Sequence, residues 1–380
     1  MKDIDKYINK HQYKKAYNIC YKAILKRDAK AYKHMGDLYL AGYFVEKNLN
    51  KAIEYYKKGI EAQDYDSYIA MGVLFLEGNA IKRDLEEAYN LFLEAHMNNA
   101  TNSAFYMGYM TLNGLGCIES FDEAERFFLE GREKHEVKSI YALASLYLKT
   151  NTISNNVIKA ISLLKEAAEL GSIRALKKLG DIYFTGEIAD MDLEYALSCN
   201  KRAADLGDLE SMINVGEAYY YGDGVNICYN KAYKYFNMAL KHNFPQAYNR
   251  MGDLLFFGRG VKKDLIKAYE YYMEAALSCE VSEEVAYSYF CCGKMRYYGE
   301  GIQRDYDIAF EFFKKSLDAT DLGLAHLYLG KCYIYGYGVE QNIKQGYEEL
   351  LKAQALGSID DENLLDMLVV DMDGNVGFKN

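Results

Sequence analysis

The chain has 380 residues, a net charge of −10, 50% apolar and 26% charged residues, and a single proline. The acidic balance disfavours nucleic-acid binding, which depends on neutralising phosphate charge, and no apolar run is long enough to span a membrane. Eight cysteines without a CxxC pair argue against a disulfide framework or a zinc site, and the N-terminus lacks a signal-peptide pattern, so we expect thiols in a reducing cytoplasm.

The first segment, residues 1–28, is predicted to be a helical N-terminal cap, with "YKKAYNICYKAILKRD" as its second helix. The N-terminal region is basic, because residues 1–60 hold 14 Lys and Arg against 6 Asp and Glu. Such a helix face is most often simply solvated. A sharper interpretation is a site for an acidic partner, or self-association with the acidic end of another copy.

A repeated pattern fills residues 29–357 and predicts nine units of about 36 residues. Each unit has a small residue, called here the anchor, and glycine follows six residues later in all units except the fourth, which has Thr150. Sixteen residues after the anchor stands alanine, or Gly346 in the last unit, and twenty residues after it usually an aromatic residue. The anchors are Gly36, Gly72, Gly108, Ala144, Gly180, Gly216, Gly252, Gly293 and Gly330.

Each unit is predicted to be a helix, a glycine turn and a second helix. Small anchors let two helices approach closely, and the later glycine suits the left-handed residue that ends a helix. The segment "GRGVKK" at 258–263 is one of these turns and not a phosphate loop, because a helix precedes its glycines and no Ser or Thr follows its lysines. Residues predicted to cap the second helices are Asn48, Asp84, Asn156, Asp192, Asp264, Asp305 and Asn342.

The later units depart from the pattern in places. The fourth lacks both glycines and is expected to bend differently, and the eighth gains five residues. Residues 358–380 are predicted to form an acidic C-terminal capping helix and tail, since 358–373 contain six acids and no base. Within it, "DMDGNVGF" predicts a hairpin turn or a frayed tail rather than a calcium loop.

This pattern resembles the Sel-one-like repeat (SLR) family, a relative of the tetratricopeptide repeats. Residues 247–276, "AYNRMGDLLFFGRGVKKDLIKAYEYYMEAA", match the family pattern nearly throughout. The resemblance implies an all-α fold, an α-solenoid of nine helix-turn-helix repeats of about 36 residues in a right-handed superhelix with N- and C-terminal caps. It also implies a non-catalytic scaffold or adaptor for protein–protein interactions.

By analogy with tetratricopeptide geometry, the first helices line a concave groove and expose the positions six and three before each anchor and those one and four after it. In units five to eight the last two of these positions place acids beside aromatics, which suits a protein or peptide with basic and apolar side chains. An aromatic stripe at helical spacing is, however, more often core. The predicted partner-binding residues are Asp181, Glu217, Tyr220, Asn249, Asp253, Phe256 and Tyr297.

No catalytic residue, cofactor or metal ligand is predicted, because the six histidines share no helical face and Cys291 and Cys292 are expected to be buried thiols. Two alternatives remain open. One is a hydrolase like that credited to secreted relatives, which carry a paired cysteine in each repeat that this chain lacks. The other is a groove for carbohydrate or another small ligand, since aromatics also stack on sugars. Richness in Lys, Asn, Ile and Tyr is typical of an AT-rich bacterial genome.

Overall fold

The computed structural model describes residues 2–149, 154–278, 280, 282–358, 363–371 and 376–379. Within these ranges the chain is almost entirely helical, as predicted, with one small antiparallel hairpin near its end. The elements are α1 (Lys2–Asn9), α2 (Tyr13–Leu25), α3 (Lys30–Ala41), α4 (Leu49–Glu61), α5 (Tyr65–Glu77), α6 (Leu85–Met97), α7 (Ser103–Leu112), α8 (Phe121–Glu133), α9 (Val137–Lys149), α10 (Ser154–Glu169), α11 (Ile173–Thr185), α12 (Leu193–Asp205), α13 (Leu209–Tyr221), α14 (Tyr229–Leu240), α15 (Gln246–Phe257), α16 (Leu265–Ser278), α17 (Ser282–Tyr298), α18 (Tyr306–Ala319), α19 (Gly323–Tyr335), α20 (Ile343–Ala355), α21 (Leu364–Met367), β1 (Leu368–Val370) and β2 (Val376–Phe378).

Helices α3 to α20 supply two successive helices for each predicted unit, which confirms the helix-turn-helix repeat. The two helices of a unit pack against each other in α3–α4, α5–α6, α7–α8, α9–α10, α13–α14, α15–α16, α17–α18 and α19–α20. Each pair begins with a helix that carries the anchor and continues with a helix that carries the alanine and aromatic positions. The chain divides into two compact units, Met1–Leu179 and Gly180–Asn380. That residues 29–357 form one continuous solenoid therefore stays a prediction.

In six repeats the anchor is small because a ring from the second helix of the same repeat lies against it. A Cβ atom added to Gly293 would lie 2.6 Å from Cε1 of Phe313, well inside van der Waals contact. That ring has no exposed surface, so the contact belongs to the core and not to a flexible surface. The same arrangement occurs in the pairs Gly36–Tyr56, Gly72–Phe92, Gly108–Phe128, Gly216–Phe236 and Gly252–Tyr272.

The segment 258–263 is a turn, as predicted. Gly258 ends α15 in the left-handed conformation (φ 67°), and the next N–H donates to the Leu254 carbonyl at 2.9 Å. Gly260 also has positive φ, and a Cβ there would lie 2.7 Å from the carbonyl carbon of Tyr229 in the preceding repeat. Glycine suits both positions, since Gly258 ends the helix and Gly260 lets the turn lie against the preceding repeat.

Side chains cap the second helices at most of the predicted positions. In each, the carboxylate or amide oxygen accepts a hydrogen bond from the backbone N–H three residues later, at 2.9–3.0 Å. The prediction is wrong for Asn156, because α10 begins at Ser154 and places Asn156 inside its first turn. The confirmed caps are Asn48, Asp84, Asp192, Asp264, Asp305 and Asn342.

The two ends of the chain cover the outer repeats. At the N-terminus, Ile4 and Cys20 are fully buried together with Met35 of the first repeat. At the C-terminus, Leu364 and Leu368 belong to the same apolar core as the last repeat, and β1 pairs with β2. The described part of this end is thus a four-residue helix and a hairpin instead of a longer helix. Residues 359–362 and 372–375, where the rest of the predicted helix and most of the turn fall, lie outside the described ranges.

Candidate partner-binding site

The seven side chains predicted to bind a partner differ strongly in accessibility. Asp181 is exposed, whereas Glu217 and Phe256 are half-buried. A partner could reach these three without any rearrangement of the protein. The others are buried, with exposed fractions of 8% for Tyr220, 0% for Asn249, 6% for Asp253 and 8% for Tyr297.

Asn249 tethers the seventh repeat to the eighth. Its amide nitrogen donates to the Glu284 carbonyl oxygen at 3.0 Å and to a Glu284 carboxylate oxygen at 2.6 Å. Its amide oxygen accepts from the Ser288 hydroxyl at 2.8 Å. With all of these groups satisfied inside the protein, the amide stabilises the contact between repeats.

Asp253 makes a second tie between the same repeats. One of its carboxylate oxygens accepts hydrogen bonds from the hydroxyls of Tyr272 and Tyr287, each at 2.8 Å. Burial raises the pKa of Asp253, an effect that these hydroxyls and the nearby Arg250 only partly oppose, and Glu284 adds to it. The carboxylate is therefore held in place at an electrostatic cost.

We expect this cost to appear as a pH dependence of stability. Since the folded pKa of Asp253 is raised above its unfolded value, its contribution to stability is greatest at low pH and falls as the pH rises through the folded pKa. Asp253→Asn keeps an oxygen that accepts from both tyrosines but cannot ionise. In urea titrations, the free energy of unfolding of the variant minus that of wild type should therefore increase from about pH 4 to about pH 7, because only wild type loses stability over this range. If the variant and wild type differ in stability by the same amount at both pH values, the prediction is wrong. Asp318→Asn, which removes a carboxylate at an exposed position, is the control.

Of the aromatic residues four after the anchor, Tyr220 and Tyr297 belong to the core, whereas Phe256 is half-buried and Phe184 is exposed. The Tyr220 hydroxyl accepts from Nη1 of Arg259 at 2.5 Å, and the guanidinium lies 5.0 Å from the Tyr220 ring centre. Tyr297 packs edge-on against four other tyrosine rings. A further group of exposed aromatics lies one residue later in the sequence, in a column that the sequence pattern did not single out. They are Tyr221, Phe257, Tyr298 and Tyr335, with exposed fractions of 59%, 54%, 48% and 39%.

A cavity of about 410 Å³ lies between the fifth and sixth repeats, within the Gly180–Asn380 unit. It contains two of the predicted residues, Asp181 and Glu217, together with a third carboxylate, Asp223. Phe184 and Tyr221 form part of its wall, and both rings are more than half exposed. The remaining lining is Gly180, Leu193, Ala196, Leu197, Asn200, Asn214 and Ala218.

The cavity lies where the fifth repeat lacks the ring that covers the anchor in six other repeats. Asn200 stands in the position held by Phe236 in the next repeat. A Cβ added to Gly180 would find its nearest neighbour, an Asn200 oxygen, at 3.2 Å, a much looser fit than at the ring-covered anchors. This polar substitution in the aromatic column was visible in the sequence, and it is the signal that could have located the cavity.

The cavity is acidic and presents unsatisfied polar groups. Its lining, all of it within the described ranges, contains three carboxylates and no basic side chain. Glu217 is paired with Arg250 (Nε–Oε1 2.5 Å), which also contacts Glu284 (3.3 Å). Burial alone would lower the pKa of Arg250, but these two carboxylates raise it above its ordinary value. Among the described residues, the side chains of Asp223, Asn200 and Asn214 have no hydrogen-bond or ion-pair partner, so they are available to a ligand.

We searched the described residues for a metal site, a reactive thiol and a membrane-spanning helix. No group of three His, Cys, Asp or Glu side chains among them is arranged to hold a metal ion. Burial raises the pKa of Cys291 and Cys292 and brings that of Cys332 to about 12, so these thiols are poor nucleophiles. In the same part of the chain, no helix combines the length and the apolar character needed to cross a bilayer.

Comparison with known proteins agrees with the repeat and the fold. One similar solved structure is c5321, a protective antigen present in uropathogenic Escherichia coli strains and displaying an SLR fold, with 19% identity and a TM-score of 0.52 over 92% of this chain and 88% of that one. Another is a Sel1 repeat protein from Oxalobacter formigenes, with 21% identity and a TM-score of 0.53 over 83% of this chain and 90% of that one. At these identities the likeness shows the fold alone. No curated protein matches the sequence. The profile described as "Sel1 repeat" matches residues 29–64, 66–97, 101–134, 137–172, 173–208, 209–244, 245–278, 286–321 and 323–357.

Proposed function

Because this chain belongs to the Sel1 repeat family, whose repeats generally serve as non-catalytic scaffolds for protein interactions, we propose that it binds a partner with basic and apolar side chains. The observation that carries the proposal is the acidic cavity between the fifth and sixth repeats, with exposed rings at its wall. A cytoplasmic location, where its cysteines stay reduced, is part of the proposal.

The binding mode follows from the groups around the cavity. A lysine or arginine side chain of the partner would enter beside Asp223 and Asp181, in a lining that contains three carboxylates. Its aliphatic stem would lie on Phe184 and Tyr221, whose faces also attract the charged head. The amides of Asn200 and Asn214 would bond the polar end of the side chain or the partner backbone.

The test is direct binding of a short fluorescein-labelled peptide in which lysine alternates with leucine, followed by fluorescence anisotropy. Asp181→Lys and Asp223→Lys should each weaken the affinity about tenfold, because each places a like charge beside the incoming cation. Asp318→Lys makes the same charge change at an exposed position outside the cavity and should bind as wild type. Equal weakening in all three variants, or in none, would rule out this cavity as the site.

The two asparagines also support a second candidate, a carbohydrate ligand. Sugar recognition needs hydrogen-bonding groups next to aromatic faces, and Asn200 and Asn214 lie in the same cavity as Phe184 and Tyr221. A neutral N-acetylglucosamine trisaccharide that displaces the lysine–leucine peptide would favour this candidate. If it does not compete, the charged peptide remains the preferred ligand.

The charged ends of the chain form a secondary surface in this proposal. The basic residues 1–60 and the acidic segment 358–373 have opposite net charge, so two copies could associate through them. Such contacts between exposed charges are screened by salt more strongly than those in a partly closed cavity. We therefore place them second.

A further inference from the structure

A second and larger cavity, of about 910 Å³, lies in the Met1–Leu179 unit. Four aromatic residues line it, from the first helices of the third and fourth repeats: Phe105, Tyr106, Tyr109 and Tyr141. Its charged lining is the reverse of the acidic cavity, with three cations and a single carboxylate. These are Arg83, Lys138, Arg174 and Glu77.

One cation of this cavity, Lys138, is held near its rings. Nζ of Lys138 lies 5.6 and 5.3 Å from the ring centres of Phe105 and Tyr106, and donates to the Tyr106 hydroxyl at 3.3 Å. The Tyr106 ring is itself fixed by stacking on Phe92, with ring centres 4.6 Å apart. Lys138 thus presents its charge at a defined place on an aromatic wall.

Positive charge is left uncompensated here. Nε of Arg83 donates to the Leu76 carbonyl at 3.0 Å, which orients the guanidinium without neutralising it. Within the described ranges, no carboxylate lies within the 4.0 Å ion-pair distance of Arg83, Lys138 or Arg174. All three side chains are exposed, so an anionic group could pair with them at little cost in desolvation.

The cavity continues into a neighbouring one of about 680 Å³, because both include Glu77, Tyr106 and Lys138 in their lining. The neighbour is lined mainly by the first helices of the first three repeats, and its charges are balanced. Lys33, for example, pairs with Asp37 at 2.8 Å. The two cavities together form one groove, called here the basic groove, with about 910 and 680 Å³ in its two parts and an excess of positive charge in the larger one.

We propose that the basic groove binds an acidic segment of a partner protein in which carboxylate side chains alternate with apolar ones. The carboxylates pair with Arg83, Lys138 and Arg174, and the apolar side chains pack on Tyr109 and Phe105. Arginine at two of the three positions favours carboxylates, which it binds in bidentate geometry. With the acidic cavity, the chain then carries two sites of opposite specificity, one on each compact unit.

The experiment uses the full chain and a fluorescein-labelled peptide in which glutamate alternates with leucine. Lys138→Glu and Arg174→Glu should each weaken its binding about tenfold, since each reverses a charge that contacts the ligand. Lys57→Glu makes the same charge change at an exposed position outside both cavities and should have no effect. Tyr109→Ser, at a position that is 40% exposed, should weaken binding several-fold without changing its dependence on salt.

Two other outcomes of these binding measurements would contradict the proposal. If Lys57→Glu weakens binding as much as Lys138→Glu, the attraction comes from overall charge and not from the groove. If single-stranded DNA of similar charge binds as tightly as the peptide, and Tyr109→Ser leaves both unchanged, the groove is a general polyanion surface and no peptide site. The lysine–leucine peptide should be unaffected by the Lys138 and Arg174 variants, so failure here is separate from failure of the acidic cavity.

Discussion

Replacing Gly293 by alanine is expected to lower the free energy of unfolding by about 2 kcal/mol, although alanine is the better helix former by about 1 kcal/mol. The new methyl group would lie 2.6 Å from Cε1 and 2.8 Å from Cδ1 of Phe313. That ring is completely buried and cannot move without displacing its own neighbours. The strain would therefore exceed the gain in helix propensity.

Gly180→Ala is the matched control within the same chain. It makes the same substitution at the equivalent position of another repeat, but it meets the half-buried side chain of Asn200 at 3.2 Å. That side chain borders a cavity and can shift. We expect a change within about 1 kcal/mol of wild type, with a gain from helix propensity as the favoured sign.

The chain itself indicates which second change would rescue Gly293→Ala. In the fourth repeat the anchor is Ala144, and the ring position is occupied by Leu164; both are fully buried. Adding Phe313→Leu to Gly293→Ala should therefore cost less than the sum of the two single changes, by roughly 1 kcal/mol of coupling. Urea unfolding followed by circular dichroism measures all four proteins. Simple additivity of the two changes would show that the ring does not set the size of the anchor.

The sequence predicts the fold well because every repeat uses the same short-range features to form its two helices and the turn between them. Small anchors, glycine turns such as Gly258 and caps such as Asp264 are short-range features, and their register recurs often enough to identify them. The prediction of a helix boundary fails only where the residues around it depart from the repeat pattern. The helix that begins at Ser154, ahead of Asn156, is such a case.

The candidate site is predicted less well, because exposure depends on how neighbouring repeats pack. Asp253 and Asn249 stand at positions that analogy assigns to the groove, yet tyrosine and glutamate side chains of the eighth repeat bury them. Aromatics one residue further along, such as Tyr221, are exposed instead. A shift of one residue turns a helical side chain by about 100°, so a small error in the assumed face moves the predicted surface from solvent to core.

Asn200→Phe is expected to weaken binding of the lysine–leucine peptide about a hundredfold while making the protein more stable by about 1 kcal/mol. Phenylalanine at this position would lie against Gly180 as Phe236 lies against Gly216, which is the usual arrangement in the repeat. The added ring buries apolar surface and occupies the floor of the cavity. Stability and binding would then change in opposite directions, which general damage to the fold cannot produce.

Asn200→Asp is the matched control for that change, because it keeps the size of the side chain and adds a fourth carboxylate to the cavity. It should bind the lysine–leucine peptide at least as well as wild type, with a stronger dependence on salt. Both affinities are measured by fluorescence anisotropy, and both stabilities by urea unfolding. If Asn200→Phe binds the peptide as wild type does, the basic side chain does not enter the cavity. Asp181 and Asp223 would then attract the partner only from the rim, and the missing ring of the fifth repeat would have no part in recognition.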